Sequence, residues 1–338
     1  MRKPNLSSLP SSTSGLVLVI GAAVIVLVAV AIAVVGPGRT QTTASVRNGG
    51  ASSSATSTSS ADAETTPTAV KTVTASASTS ASMSASASVS ASETTAADYA
   101  ANLASAVAGL VKSDDGNVSV AVEDLSTGAK ANYNVSKNYV TASIVKLDIV
   151  ETLLYDDQED DTSPTSSQKV LITDMIEQSD NHAALDLFND EGGASAITAA
   201  NKVFRLTDTD VDEDAFGDTT TTVTDQVLLL RQAFTSDSQL TAANRSYIQS
   251  LMSRVEPDQR WGVSAAADDS SSSATDYMLK NGWLPRSATN LWEINSIGEV
   301  EHDGREYLVA VLSANNETMD DGVDVIQHVA KAAVDGLD

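Results

Sequence analysis

Residues 15–35, GLVLVIGAAVIVLVAVAIAVV, hold no charged or strongly polar side chain, and this run constrains everything that follows it. As a helix, twenty-one residues extend about 31 Å, which matches a bilayer hydrocarbon core of about 30 Å. A cleaved secretion signal has a shorter apolar region, about 7–15 residues, followed by a small-x-small cleavage site. Here the run stops at Gly36-Pro37-Gly38 without such a site. The expectation is an uncleaved signal anchor over 15–35 behind a cytoplasmic N-terminus over 1–14. Arg2, Lys3 and the terminal amine precede the span, while Arg39 and Arg47 follow it. That slight bias leaves the N-terminus inside and the bulk of the chain outside. The chain is therefore expected in the cell membrane, single-pass, with an extracytoplasmic domain.

The next segment narrows the foldable part further. Residues 36–95 are dominated by Ser, Thr and Ala, with SASTSASMSASASVSAS at 76–92. Strict alternation of this kind imitates a strand, but alanine and serine offer almost no apolar area to bury, so a disordered linker is expected. As a flexible coil, the stretch 40–95, about 56 residues, would reach roughly 40 Å, the dimension of a stalk. What remains, 96–338, is the size of one domain.

Charge and cysteine content remove several classes of function. A net charge of −25 speaks against nucleic acid, whose phosphates need clustered Lys and Arg. No cysteine is present, which removes disulfides, thiolate nucleophiles, Cys-based metal sites and a lipoprotein anchor together. The three histidines fit no H-E-x-x-H pattern, and no G-x-S-x-G elbow occurs. No cofactor and no metal are expected, and a monomer is the default.

Within 96–338 the hydrophobic pattern alternates between two periods. Tyr99, Leu103, Val107, Leu110 and Val111 follow helical spacing, ending at Lys112–Gly116. Val118, Val120 and Val122 alternate, turn at Ser126-Thr127-Gly128, and return over Lys130–Val135 as a hairpin. From 143 to about 253 the pattern is mainly helical. Strands are expected again at Tyr277–Lys280, Trp292–Val300 and Arg305–Ser313, before a last helix bearing Val323, Ile326, Val329, Ala333 and Leu337 on one face. This order predicts an α/β fold: an antiparallel sheet completed by both chain ends and flanked by helices, with an inserted all-helical lobe and a cleft between the two.

Three short motifs fall on that cleft. In YVTASIVKLDIV (139–150), Ser143 and Lys146 are three residues apart on an apolar helix and project from one face. A lysine with a pKa near 10.4 is protonated at neutral pH, so it could act as a base only if its pKa fell by about 3 units. Burial and a second nearby cation both act in that direction. Ser179-Asp180-Asn181 lies between two amphipathic helices, and Lys280-Asn281-Gly282 lies on a predicted strand. Read singly, each has an ordinary explanation: a snorkelling lysine, a helix N-cap, a strand lysine. S-x-x-K, S-D-N and K-[T/S]-G in this order form the signature of the penicillin-recognising serine hydrolases. Over about 96–338 the chain resembles the class A β-lactamase-like family.

The resemblance implies roles residue by residue. Ser143 would be the acylated nucleophile, Lys146 its base or proton relay, and Ser179 the group that passes a proton to the leaving nitrogen. Asn181 would bond a substrate side-chain amide. Lys280 would supply positive potential for a substrate carboxylate, with Asn281 donating to it from its own amide. Gly282 would let a ligand approach the strand, and the oxyanion hole would be the backbone N–H groups of Ser143 and Trp283.

The sequence departs from the family in three places. Asn281 replaces Thr or Ser, and Ser179 follows Ser143 by only 36 positions, which shortens the helical lobe. The glutamate loop R-x-E-P-E-L-N, which hydrolyses the acyl-enzyme in class A enzymes, is absent. Its place is taken by RLTDTDVDEDAFGDTTTT (205–222). Glu213 is the candidate deacylation carboxylate there, although position does not single it out. The alternating aspartates of this loop do not fit an EF-hand, which needs Gly at its sixth and Glu at its twelfth position. The leading expectation is a membrane-tethered serine hydrolase opening a β-lactam or related amide through an acyl-Ser143 ester. The alternatives are a D-Ala-D-Ala carboxypeptidase acting on peptidoglycan stem peptides, or a catalytically weak cell-wall binding module.

Overall fold

The computed structural model describes residues 96–110, 117–268 and 276–337. The anchor expected over 15–35 and the linker expected over 36–95 lie outside the described residues. Among the described residues no helix is long and apolar enough to cross a membrane.

Among these residues eight helices and seven strands follow one another. They are α1 (Ala96–Leu110), β1 (Val118–Asp124), β2 (Lys130–Tyr133), β3 (Tyr139–Val140), α2 (Val145–Glu159), α3 (Ser166–Glu177), α4 (Asn181–Asp190) and α5 (Ala194–Phe204). β4 (Thr220–Thr221), α6 (Val223–Phe234), α7 (Ala242–Met252), β5 (Tyr277–Arg286), β6 (Leu291–His302), β7 (Arg305–Asn316) and α8 (Met319–Asp335) complete the order. Five strands form one antiparallel sheet in the order β2-β1-β7-β6-β5, and β3 pairs with β4 in a separate two-stranded ladder. The result is an α/β arrangement whose sheet is completed by the two ends of the domain, as the order of periodicities predicts.

Period-two alternation assigns the two faces of the sheet. On β7, Tyr307, Val309 and Val311 join Leu103, Val107, Ile326, Val329 and Ala333 in a core under α1 and α8. The intervening Leu308, Ala310 and Leu312 join Leu147, Val150, Leu229 and Leu230 in the core of the helical lobe. The central strand is therefore buried on both faces and carries an almost unbroken apolar run.

Local chemistry fixes the element ends. Thr165 and Gln168 form a reciprocal capping box at α3, and Thr222, Thr241 and Thr318 cap α6, α7 and α8. The β6–β7 turn uses Asp303 and Gly304, both at positive φ, which matches the twist of a tight hairpin. Two elements differ from the sequence pattern. β5 runs to Arg286 rather than stopping at Lys280, and its edge position tolerates Pro285, which lacks a ladder donor. The β3–β4 ladder is two residues per strand, too short to leave a periodic trace.

Candidate active site

Ser143 sits in a 3-10 turn, Ala142–Ile144, that runs directly into α2. The turn is under strain at Ala142, whose φ of 48° places a non-glycine residue in the left-handed region, at a cost of about 1–3 kcal/mol. One helical turn later Lys146 is fully buried. Its Nζ is within hydrogen-bond distance of four oxygens: Ser179 O at 2.6 Å, Asn181 Oδ1 at 2.7 Å, Ser143 Oγ at 3.1 Å and Ser179 Oγ at 3.2 Å.

Ser179 and Asn181 arrive from the turn between α3 and α4. Ser179 also has a positive φ, 57°, which turns its carbonyl and its hydroxyl together onto Lys146. The residue between them does a different job: Asp180 accepts from Ala183 N at 2.7 Å and caps α4. The S-D-N stretch is thus both a helix cap and a lysine cradle. His182, next in sequence, is exposed on the first turn of α4.

Lys280 reaches the same hydroxyl from β5. It is fully buried, and its Nζ donates to Ser179 Oγ at 3.0 Å and to Asn281 O at 3.1 Å. Two lysine side chains therefore converge on one serine oxygen. Burial pushes Lys146 down to about 8, against the opposing pull of the Asp180 carboxylate. Burial, and then the neighbouring Lys146, holds Lys280 well below the ordinary lysine range. The arrangement thereby favours loss of a proton from the pair.

The bond pattern indicates what a neutral Lys146 can do. A neutral amine has two N–H donors and one lone pair. The two shortest contacts, to Ser179 O and Asn181 Oδ1, are with oxygens that can only accept, so they take both donors. The lone pair is left for a hydroxyl, and Ser143 Oγ at 3.1 Å is in range of proton transfer.

Two residues of the third motif are engaged by the protein itself. The motif implies that Asn281 offers its amide to a substrate carboxylate. Instead it is 1% exposed, and its Nδ2 donates to Gln259 O at 2.8 Å and Trp261 O at 2.9 Å. Period-two alternation turns it to the face opposite Lys280 and Gly282, so its donors are committed to the protein. The motif also implies that Gly282 makes room for a ligand. A Cβ there would lie 2.7 Å from Thr141 O and 2.9 Å from the Ser143 and Ile144 nitrogens. The missing side chain admits the turn that carries Ser143. Trp283 follows it on β5, the edge strand of the sheet, where alternate N–H and C=O groups have no ladder partner.

Glu213 is not drawn to this cluster. It is exposed and makes no hydrogen bond or ion pair with a described residue. Its loop folds onto itself and onto β4 instead. Asp212 accepts from the backbone of Asp214 and Ala215, Asp210 bridges Thr220, and Asp208 N donates to Asp225. Among the described residues, Asp268, His302 and Asp303 alone bring three metal-competent side chains close together, away from the three motifs in sequence.

Two further residues hold the site, and no motif points to them. Gln259 is 7% exposed, receives the Asn281 amide on its carbonyl, and donates Nε2 to Gln178 O at 3.0 Å, one residue before Ser179. Asn295 is fully buried in β6 and donates to Val140 O and Thr141 O. The available signal is a polar pair inside the strand pattern, Asn295-Ser296 between Ile294 and Ile297.

Comparison with known proteins gives the family and the fold. The chain matches the Beta-lactamase enzyme family over residues 102–169 and 158–337, more than half its length. Among solved structures it is similar to a representative of class A beta-lactamase from Bacteroides cellulosilyticus DSM 14838, at 17% identity and a TM-score of 0.60, covering 71% of this chain and 98% of that one. It is also similar to the TLA-1 extended spectrum beta-lactamase, at 16% identity and a TM-score of 0.61, covering 70% and 99%. A mutant of PBP-A, solved as an acyl-enzyme complex with penicillin G, shares 17% identity at a TM-score of 0.58, with coverage of 70% and 96%. No curated protein matches the chain.

Proposed function

Since the chain belongs to the Beta-lactamase enzyme family and is a serine hydrolase acting on amide bonds, we propose that Ser143 is its nucleophile and that it opens β-lactams or related amides from the outer face of a membrane. The observation that carries this reading is the placement of Lys146 Nζ between Ser143 Oγ and the Ser179–Asn181 turn, with Lys280 on the far side of Ser179.

The steps balance on these residues. Neutral Lys146 takes the Ser143 hydroxyl proton as Oγ attacks the carbonyl carbon. The oxyanion develops against the N–H groups of Ser143 and Trp283, an interaction worth about 3–4 kcal/mol per donor in the transition state. As the C–N bond breaks, the Ser179 hydroxyl gives its proton to the leaving nitrogen. Ser179 then recovers a proton from Lys146, through the 3.2 Å contact. The product is an ester on Ser143. Lys280 presents its Nζ donors beside Ser179 to a substrate carboxylate, and Asn181 holds Lys146 while facing the substrate amide.

A second reading, a penicillin-binding D,D-peptidase, is favoured by one observation: the candidate deacylation carboxylate Glu213 is exposed and unattached to Lys146. An acyl-enzyme formed here would persist, a species of the same kind as the penicillin G complex of the PBP-A mutant. The anchoring of the domain rests on the sequence of residues 15–35.

A fluorescent penicillin applied to the full chain tests the reading. The wild type should take up one covalent label, and Ser143→Ala should take up none. A label lasting seconds or less assigns a β-lactamase, and one lasting many minutes assigns the penicillin-binding reading. A wild type that never labels overturns both and leaves a cell-wall binding module.

A further inference from the structure

We infer that Asn295 is a positioning residue for acylation, holding the peptide that aims Ser143; the inference rests on Ser143 being the nucleophile. Asn295 is the cross-strand neighbour of Gly282, and the two act on the same stretch of chain. Gly282 lets the turn approach the sheet, because any Cβ there would collide with Thr141 O and Ser143 N. Asn295 then grips what has approached. Its Nδ2 donates to Val140 O at 2.8 Å and to Thr141 O at 3.0 Å, so both amide hydrogens are used on consecutive carbonyls. Its Oδ1 accepts from Ser313 N at 3.2 Å, which fixes the orientation of the amide.

The opposite side of the same stretch is also held. Tyr139 and Val140 pair with Thr221 and Thr220, and Thr141 N donates to Thr219 O at 2.8 Å. Thr141 is therefore pinned through its N–H on one side and its C=O on the other, which sets the plane of the Thr141–Ala142 peptide. The next rotation along the chain is the φ of Ala142, at 48°. Left-handed backbone is unfavourable for alanine and persists only where its surroundings over-determine it. Asn295 supplies that constraint, and the residue whose direction it decides is Ser143, both its Oγ toward Lys146 and its N–H toward a developing oxyanion. Asn295 touches no reacting atom and acts through the backbone.

A purely structural role would lower stability and leave each folded molecule acylating at the normal rate. A positioning role lowers the first-order acylation constant with little effect on the affinity of the preceding complex. The test is time-resolved labelling of the full chain with a fluorescent penicillin, separating the two constants, alongside label stoichiometry and thermal melting. Asn295→Asp keeps the shape but removes both donors, and Asn295→Ser removes the reach. The expected result is near-complete labelling in both, an acylation constant lower by about 10–100-fold, and a dissociation constant changed by less than about 3-fold. Asn316 is the control amide, since it bonds Trp292 O and Ser313 Oγ instead, and Asn316→Ala should acylate at the wild-type rate. Unchanged acylation in the labelled fraction of either Asn295 variant overturns the inference, as does loss of the fold in both. A wild type that does not label fails the nucleophile assignment instead, which separates the two failures.

Discussion

The helix that carries Lys146 also buries two acids, and their removal has a predictable sign. Glu151 is fully buried, and neither of its carboxyl oxygens has a partner among the described residues. Asp148 is 2% exposed. Its Oδ2 accepts from Asn201 Nδ2 at 3.0 Å, and its Oδ1 has no partner among the described residues. An ionised carboxylate without partners in such a lobe is strongly disfavoured, so both groups favour the protonated form in the folded state. Burial pushes Asp148 up to about 7, with the Asn201 bond opposing and the Asp225 carboxylate assisting. Burial, and then Asp148, pushes Glu151 well above the ordinary range.

A folded-state pKa above the unfolded value means that the native state keeps a proton which the unfolded chain releases. Stability is then fully present below the unfolded value of 3.8 and is lost as pH rises toward about 7. For Asp148 the shift of about 3 units corresponds to roughly 4 kcal/mol by pH 8, a large share of the usual 5–15 kcal/mol of a domain. Glu299, raised to about 8 by burial and neighbouring acids, adds in the same direction. At Asp124 burial acts upward, but the Thr127 and Ser126 bonds and Arg305 hold the carboxyl below its ordinary value. Its contribution therefore runs the other way only below about pH 4. Urea unfolding of the full chain between about pH 4.5 and 8.5 should show stability falling as pH rises. Asp148→Asn, which can still accept from Asn201, should flatten that slope and stabilise the protein at pH 8 by a few kcal/mol. A wild-type stability that is flat or rises with pH would refute the reasoning. So would an Asp148→Asn variant less stable than wild type at pH 8, because the carboxylate would then be ionised and satisfied.

Three further outcomes follow from the site. Acylation should speed up with pH through about 8, where Lys146 loses its proton, and Lys146→Arg, which stays charged, should lower it by about 100–10,000-fold in the labelling assay. Gly282→Ala should cut the labelling rate by about 100-fold and depress the melting temperature, since its Cβ meets backbone atoms of the Ser143 turn that cannot step aside. Asn281→Thr should weaken stability by about 1–3 kcal/mol in urea unfolding by orphaning the carbonyls of Gln259 and Trp261. It should also leave penicillin affinity no better, because the side chain at 281 points to Gln259 and Trp261.

What is legible in the sequence, and what is hidden, divides on whether a feature has a period. The Val118-Val120-Val122 alternation and the last helix, with Val323, Ile326, Val329 and Ala333, read directly because each follows the repeat of its element. Ser143, Lys146, Ser179 and Lys280 stand out because their order along the chain is itself a pattern. The structure links their four side chains through Lys146 Nζ and the Ser179 hydroxyl. The residues that hold those side chains have no such pattern. Gln259 and Asn295 act through single carboxamides aimed at backbone carbonyls, and a carboxamide's target is a matter of tertiary placement.

Asn281 marks the limit most sharply. Its position in the motif suggests a substrate contact, yet one step of strand alternation turns it from the Lys280 face toward the segment 259–261. From there Gln259 reaches Gln178, beside the serine whose hydroxyl Lys280 itself touches. The replacement of a hydroxyl by an amide at this position thus links the strand bearing Lys280 to the turn bearing Ser179 through a buried relay. With the Asn281 amide bonded to Gln259 and Trp261, Lys280 is the side-chain donor that this motif leaves beside the Ser179 hydroxyl.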